Sequence, residues 1–80
     1  MSVKKAVTQR LQELCAQRQI AVNSLANMAG VTPSTIYSLL DSSRRDVGIV
    51  VIKKLCDGLE MSLEEFFSGE VFSALEQEII

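Results

Sequence analysis

The run VNSLANMAGVTPSTIYSLLD, Val22 to Asp41, decides how the rest of the chain folds. Its spacing predicts two short helices joined by a tight turn at Gly30-Val31. Leu25, Ala26, Ala29, Val31, Ile36 and Leu39 stand where such a pair needs apolar or small residues. Ala26 falls at the closest approach of the two helices, where a large side chain would force them apart. Gly30 follows the first helix, where the backbone turns left-handed at little cost only for glycine. Thr32 can cap the second helix, and Pro33 takes its first position, where a missing N–H leaves no bond unmade. These features together define a helix-turn-helix unit.

Working outward, Ser2 to about Arg18 reads as a first helix, with Val3, Val7, Leu11 and Leu14 as its apolar stripe. Gln9, Gln12, Glu13 and Gln17 fall on its other face. Ile20 is expected to plug the core beneath the junction. Ala21 leaves the second helix without a side-chain cap, at a cost of about 1 kcal/mol. The third helix runs from about Pro33 to Asp41, with Ile36, Leu39 and Leu40 inward and Ser34, Tyr37, Ser38 and Asp41 outward. SSRRDVG, Ser42 to Gly48, is a loop. A fourth helix from about Ile49 to Leu59 turns Ile52, Leu55, Cys56 and Leu59 to the core. Ser62 and Glu65 form a capping box for a fifth helix, beneath which Leu63 and Phe66 close the core. Beyond Ser68-Gly69, EVFSALEQEII is helical by pattern, with Val71, Leu75 and Ile79 as a stripe and Phe72 beside it. Such a stripe must be covered. Pairing with a second copy is favoured over folding back, because five helices already close a core.

The Val22–Asp41 unit, followed by IKKLCDGLEMSLEEFF from Ile52 to Phe67, resembles the phage repressor/Cro-like (XRE-type) family of DNA-binding regulators. The resemblance covers roughly Val3 to Phe67. It implies an all-α fold: a compact five-helix lambda-repressor-like DNA-binding domain over residues 1–69, with a C-terminal helical extension over 70–80 as a candidate dimerisation element. It also implies a function: sequence-specific transcriptional regulation, as a repressor of phage or mobile-element type. The partner would be double-stranded DNA, bound as a homodimer on a palindromic operator with half-sites about one helical turn apart.

Carried over position by position, Pro33, Ser34, Tyr37 and Ser38 match the places that read bases, with Thr35 at the margin. Relatives often hold Gln, Asn or Arg there. Serine hydroxyls pair with several bases and discriminate weakly, while Tyr37 can stack on a sugar or touch a thymine methyl. Arg44 and Arg45 are expected on phosphates, helped by Ser42 and Ser43 and by Asn23 and Ser24 at the start of the second helix. Lys4, Lys5 and Arg10 read as solvated. Many relatives pair an arginine of the first helix with a glutamate ending the third. The matching residues here are Cys15 and Leu40, so apolar contact is expected and the third helix loses one tether. Val50 and Val51 are more apolar than a DNA-facing helix start requires, which marks a second partner surface.

The bulk numbers agree with one small domain. Eighty residues bury only about 60–65% of their unfolded surface. The net charge of −2 is unevenly spread: the chain carries +4 through Arg45 and −6 from Asp46 onward. DNA responds to the local balance, because exposed charges beyond about 8–10 Å are screened. Cys15 and Cys56 read as reduced core thiols. With no histidine they cannot build an ordinary zinc site, and no metal or cofactor is expected. No run of eighteen apolar residues is present and the amino end lacks a secretion layout, so a cytoplasmic protein with no membrane contact is expected. The chain also lacks a nucleotide loop and a serine in an obvious base arrangement, which points away from an enzyme. The alternative is a protein-interaction module, such as an antitoxin or anti-repressor. The acidic carboxyl half and the small-residue reading face favour it.

Overall fold

Five α-helices and one 3-10 turn follow one another in a computed structural model that describes residues 1–79. Ile80, the last residue of the expected extension, lies outside them. Helix α1 (Val3–Gln17) is capped by Ser2, whose Oγ accepts the Lys5 N–H at 3.2 Å. Helices α2 (Val22–Ala29), α3 (Pro33–Leu40), α4 (Ile49–Gly58) and α5 (Leu63–Phe67) pack beside it. Their shared interior holds Val7, Leu11, Leu25, Ile36, Leu55 and Phe66, each essentially inaccessible to water. Burial of such side chains supplies the main driving force for folding. Val3, expected on the α1 stripe, is exposed, and Lys4 takes the buried place instead.

Three helices end in the same way. Past α2, Gly30 adopts φ +70°, its N–H bonds the Asn27 carbonyl, and the Val31 N–H bonds the Ala26 carbonyl at 3.0 Å. This Schellman closure satisfies carbonyls that the helix leaves unpaired and fixes the entry into α3. α1 and α4 close likewise, with Ile20 N–H on Cys15 and Met61 N–H on Cys56, both at 3.0 Å. There the left-handed residues are Gln19 and Glu60, each at φ 56°. α5 carries the full capping box of Ser62 and Glu65, and α2 starts at Ala21 with no side-chain cap, as the sequence predicts.

α2 and α4 meet through Gly58. A Cβ there would stand 3.3 Å from the Ala29 Cβ, the Ala29 nitrogen and a Leu25 methyl. The small residue at this crossing lets two backbones approach. Cys15 and Cys56 are buried and free. Burial pushes both thiols up, against a smaller opposing pull from Arg18 on Cys15 and Lys53 on Cys56.

The segment after Gly69 departs from expectation. Only Glu70–Ala74 is helical, as a single 3-10 stretch, and Leu75 is extended. The chain then folds back on the amino end: Glu76 N–H donates to the Met1 carbonyl at 2.9 Å. Phe72 packs against both Phe66 and Phe67, with ring centroids 6.0 and 5.0 Å away. The stripe of Val71, Leu75 and Ile79 does not form, and Ile79 stays 87% exposed. Eleven residues are too few to hold an isolated helix, so the one aromatic anchor decides the path. No helix among the described residues is long and apolar enough to cross a membrane.

Candidate nucleic-acid interface

Local chemistry at Thr32 starts α3. Its Oγ1 accepts the Thr35 N–H at 3.3 Å, and Pro33 follows at the first helical position. Ile36 and Leu39 turn into the core. The opposite side carries Pro33, Ser34 and Tyr37, all exposed, with Tyr37 at 64%. Thr35 and Ser38 are half-buried and line a shallow cleft with Arg44, Asp46 and Val51. The residues expected to read bases are thus exposed at Pro33, Ser34 and Tyr37 and half-buried at Thr35 and Ser38. Asp46, which the sequence assigns only to the acidic half, also lines that cleft.

The turn after α3 is built by Asp41. Its Oδ1 accepts the Ser43 N–H at 2.9 Å and the Ser43 hydroxyl at 2.7 Å. The Arg44 N–H closes on the Asp41 carbonyl at 3.1 Å. The Ser43 hydroxyl and amide, with a smaller pull from Arg44, hold the Asp41 carboxyl below its ordinary range. Both Ser43 donors bond Asp41 in the DNA-free chain, where the sequence reading expects them on a phosphate. Ser42 remains exposed. Arg44 Nε lies 3.6 Å from Asp41 Oδ2, and its side chain is 65% exposed. Arg45 pairs with Glu78 and is 73% exposed. Asn23 and Ser24 are exposed on the first turn of α2, whose N–H groups no side chain caps.

The basic residues of α1 are placed differently from expectation. Lys4 is only 5% exposed. Its Nζ donates to the carbonyls of Ser38 at 3.1 Å, Asp41 at 3.0 Å and Arg44 at 2.9 Å. Arg10 donates from Nε to the Phe66 carbonyl at 2.8 Å and from Nη2 to the Glu65 carbonyl at 2.9 Å, while Nη1 pairs with Glu13. Arg18 donates to the Leu59 carbonyl. Each cation of this trio meets the carboxyl end of another helix: α3, α5 and α4 in turn. Helix ends present unpaired carbonyls and the negative end of the helix dipole, so an ammonium or guanidinium suits them. Lys4 and Arg10 are therefore structural rather than solvated, and only Lys5 is exposed as expected. One signal in the sequence does mark Lys4: Lys4, Val7, Leu11 and Leu14 follow the 3-4-3 spacing of a buried seam.

The tether that the Cys15 and Leu40 substitutions would remove is thus replaced. Lys4 holds the end of α3, and the Thr8 hydroxyl lies 3.4 Å from the Leu39 carbonyl. Leu40 is half-buried beside Ser2, Lys4, Lys5 and Thr8, while Cys15 sits in the interior.

Residues 10–70 match the family of Cro/C1-type HTH DNA-binding domains. The chain is also similar to a solved structure, the crystal structure of the prophage Lp1 protein 11. The two are 26% identical and superpose with a TM-score of 0.83, over 94% of this chain and 100% of that one. No curated protein matches the chain. The match runs from the middle of α1 through α5 and takes in the Gly30 turn and the open face of α3. The chain belongs to the Cro/C1-type helix-turn-helix DNA-binding domain family.

Proposed function

We propose that the protein is a sequence-specific repressor of phage or mobile-element type, binding a palindromic operator as a homodimer. The observation that carries this reading is the outer face of α3. Ser34 and Tyr37 are exposed there while Ile36 and Leu39 anchor the other side, and Arg44 and Arg45 follow at once. A helix fits the major groove, where each base pair shows its own donor and acceptor pattern. Pro33, Ser34, Thr35, Tyr37 and Ser38 would meet base edges. Arg44, Arg45, Ser42, Asn23 and Ser24 would meet phosphates, which set position rather than sequence. Likeness to a prophage protein supports the phage-type assignment. The exposed basic groups near α3 are Lys5, Arg44 and Arg45. A dimer using all of them would lose roughly 10³-fold in affinity between about 50 and 200 mM salt.

Selection of bound sites from a random duplex pool tests the proposal, repeated with Ser38→Ala and Arg44→Ala. Ser38→Ala should relax preference at one position, and Arg44→Ala should weaken all sites alike. Failure to enrich any site at low salt contradicts it.

A second reading, a protein-interaction module such as an antitoxin or anti-repressor, is favoured by the start of α4. Ile49 and Val50 are 57% and 65% exposed there, whereas Val51, expected beside Val50 on that surface, is half-buried against the core. An apolar protein interface of that kind would keep its affinity across the same salt range, which separates the two.

A further inference from the structure

The Lys4 ammonium is the only group through which α1 grips the turn that carries the two arginines by three bonds at once. Its three N–H donors meet three carbonyls, at Ser38, Asp41 and Arg44, all within 2.9–3.1 Å. An ammonium has three donors and no acceptor, so this set leaves nothing unpaired. Lysine is almost never buried without a partner, and here the partners are backbone carbonyls rather than a carboxylate. The three carbonyls belong to two different pieces of chain. Ser38 lies in the last turn of α3, and Arg44 closes the Asp41–Arg44 turn. One ammonium therefore fixes the recognition helix and the turn relative to each other.

The geometry points to Lys4 as a positioning residue: its ammonium sets the orientation of the Asp41–Arg44 turn, and through it the phosphate contacts of Arg44 and Arg45, without touching DNA itself. The inference rests on the DNA-binding reading above. The turn alone is weakly held. Asp41, Ser42, Ser43, Arg44 and Arg45 are all exposed, and no apolar residue among them anchors the turn. Asp41 organises the turn internally through Ser43, but that does not fix its direction relative to α3. Lys4 does, by bonding both the Ser38 and the Arg44 carbonyls. Correct placement matters because a phosphate contact by a guanidinium depends on aligned donors.

The test uses the full chain, with Lys4→Met, Lys4→Arg, Arg44→Ala/Arg45→Ala and the combination of Lys4→Met with the arginine pair. Affinity for the selected duplex is read by fluorescence anisotropy between about 50 and 200 mM salt, at a temperature where circular dichroism shows each variant folded. Lys4→Met should lose about tenfold in affinity and flatten the salt dependence, although the residue meets no phosphate. Its effect should nearly vanish once Arg44 and Arg45 are alanine. Lys4→Arg keeps the charge but offers a planar fork in place of a tripod, and should bind more weakly than the native chain; it carries the test if Lys4→Met does not fold. Full affinity in the folded variants, or a loss by Lys4→Met that simply adds to that of the arginine pair, overturns the inference. A second measurement needs no DNA. Amide exchange at Arg44, whose N–H bonds Asp41, should accelerate at least tenfold in the Lys4 variant, while exchange at Val31 in the α2–α3 turn should not change. Unchanged exchange at Arg44 overturns the inference even if DNA binds. A native chain that binds no duplex at low salt overturns the DNA-binding reading instead, and the exchange result then decides whether Lys4 holds the turn.

Discussion

Arg45 Nη2 lies 2.9 Å from Glu78 Oε1, a contact between the turn after α3 and the folded-back carboxyl segment. Glu78, with smaller contributions from Glu76 and Asp46, reinforces the charge on that guanidinium. A DNA phosphate would have to compete with this carboxylate. The pair is exposed, and exposed pairs contribute little. Glu78→Gln should therefore raise affinity for the selected duplex, by at most about fivefold. A titration of both chains at low salt would show it. Unchanged or weaker binding would mean that Arg45 does not meet the strand.

Asp46 should have a larger effect of the same sign. Asp46 lines a cleft with Thr35 and Ser38 beside α3. Approach of a polyanion brings like charges together there. Asp46→Asn should tighten binding to all duplexes without changing sequence preference, as measured by binding to selected and scrambled sites in parallel.

The left-handed residues that close α1 and α4 predict gains in stability. Gln19 and Glu60 hold φ 56°, where an L side chain costs about 1–2 kcal/mol and glycine does not. Glycine loses about 0.5–1 kcal/mol in unfolded-state entropy. Gln19→Gly and Glu60→Gly should each raise stability by about 0.5–1 kcal/mol, seen as a higher midpoint in urea. Gly30→Ala at φ +70° should lower it. A loss with Gln19→Gly would contradict this account of the helix ends.

Arg10 predicts a loss. Its guanidinium serves two carbonyls at the end of α5 and is 12% exposed. Arg10→Met would leave the Phe66 carbonyl without its partner, at about 1–3 kcal/mol, while the Glu65 carbonyl keeps the Ser68 N–H and hydroxyl. Lys5→Met, at an exposed position, should stay within about 0.5 kcal/mol. Thermal unfolding of the two variants distinguishes a structural cation from a solvated one.

Asp41 gives a pH dependence with a definite sign. Its folded carboxyl is held below the ordinary range by Ser43, so its contribution to the turn is complete above the unfolded pKa of about 3.9. That contribution is lost as pH falls through the lower folded value. The Ser43 amide resonance should therefore titrate below the usual carboxylate range, and Asp41→Asn should abolish that titration.

Much of this architecture is legible from residue type and spacing. Thr32, Pro33 and Gly30 define the turn because each meets a backbone requirement that few other residues meet. Ser62 and Glu65 do the same for α5. Elements set by contacts distant in sequence are not legible in this way. Lys4 and Arg10 look like surface charges because the carbonyls they serve lie some 34 to 56 residues away. The helix expected after Gly69 has an apolar stripe, but Phe72 finds Phe66 and Phe67 first, and Glu76 finds the Met1 backbone. Within the interface, the outward set on α3 follows from helical period alone. That Ser43 is already bonded, and that Asp46 edges the same cleft, depends on a loop conformation with no period to read.

The central claim is that the outer face of α3 meets DNA. Titration of the isotopically labelled protein with its selected duplex at low salt tests it most directly, residue by residue in the amide spectrum. The account predicts the largest shifts at Ser34, Tyr37, Ser38, Arg44 and Arg45, with smaller ones at Asn23 and Ser24. Shifts confined to Ile49 and Val50, with α3 silent, would contradict it.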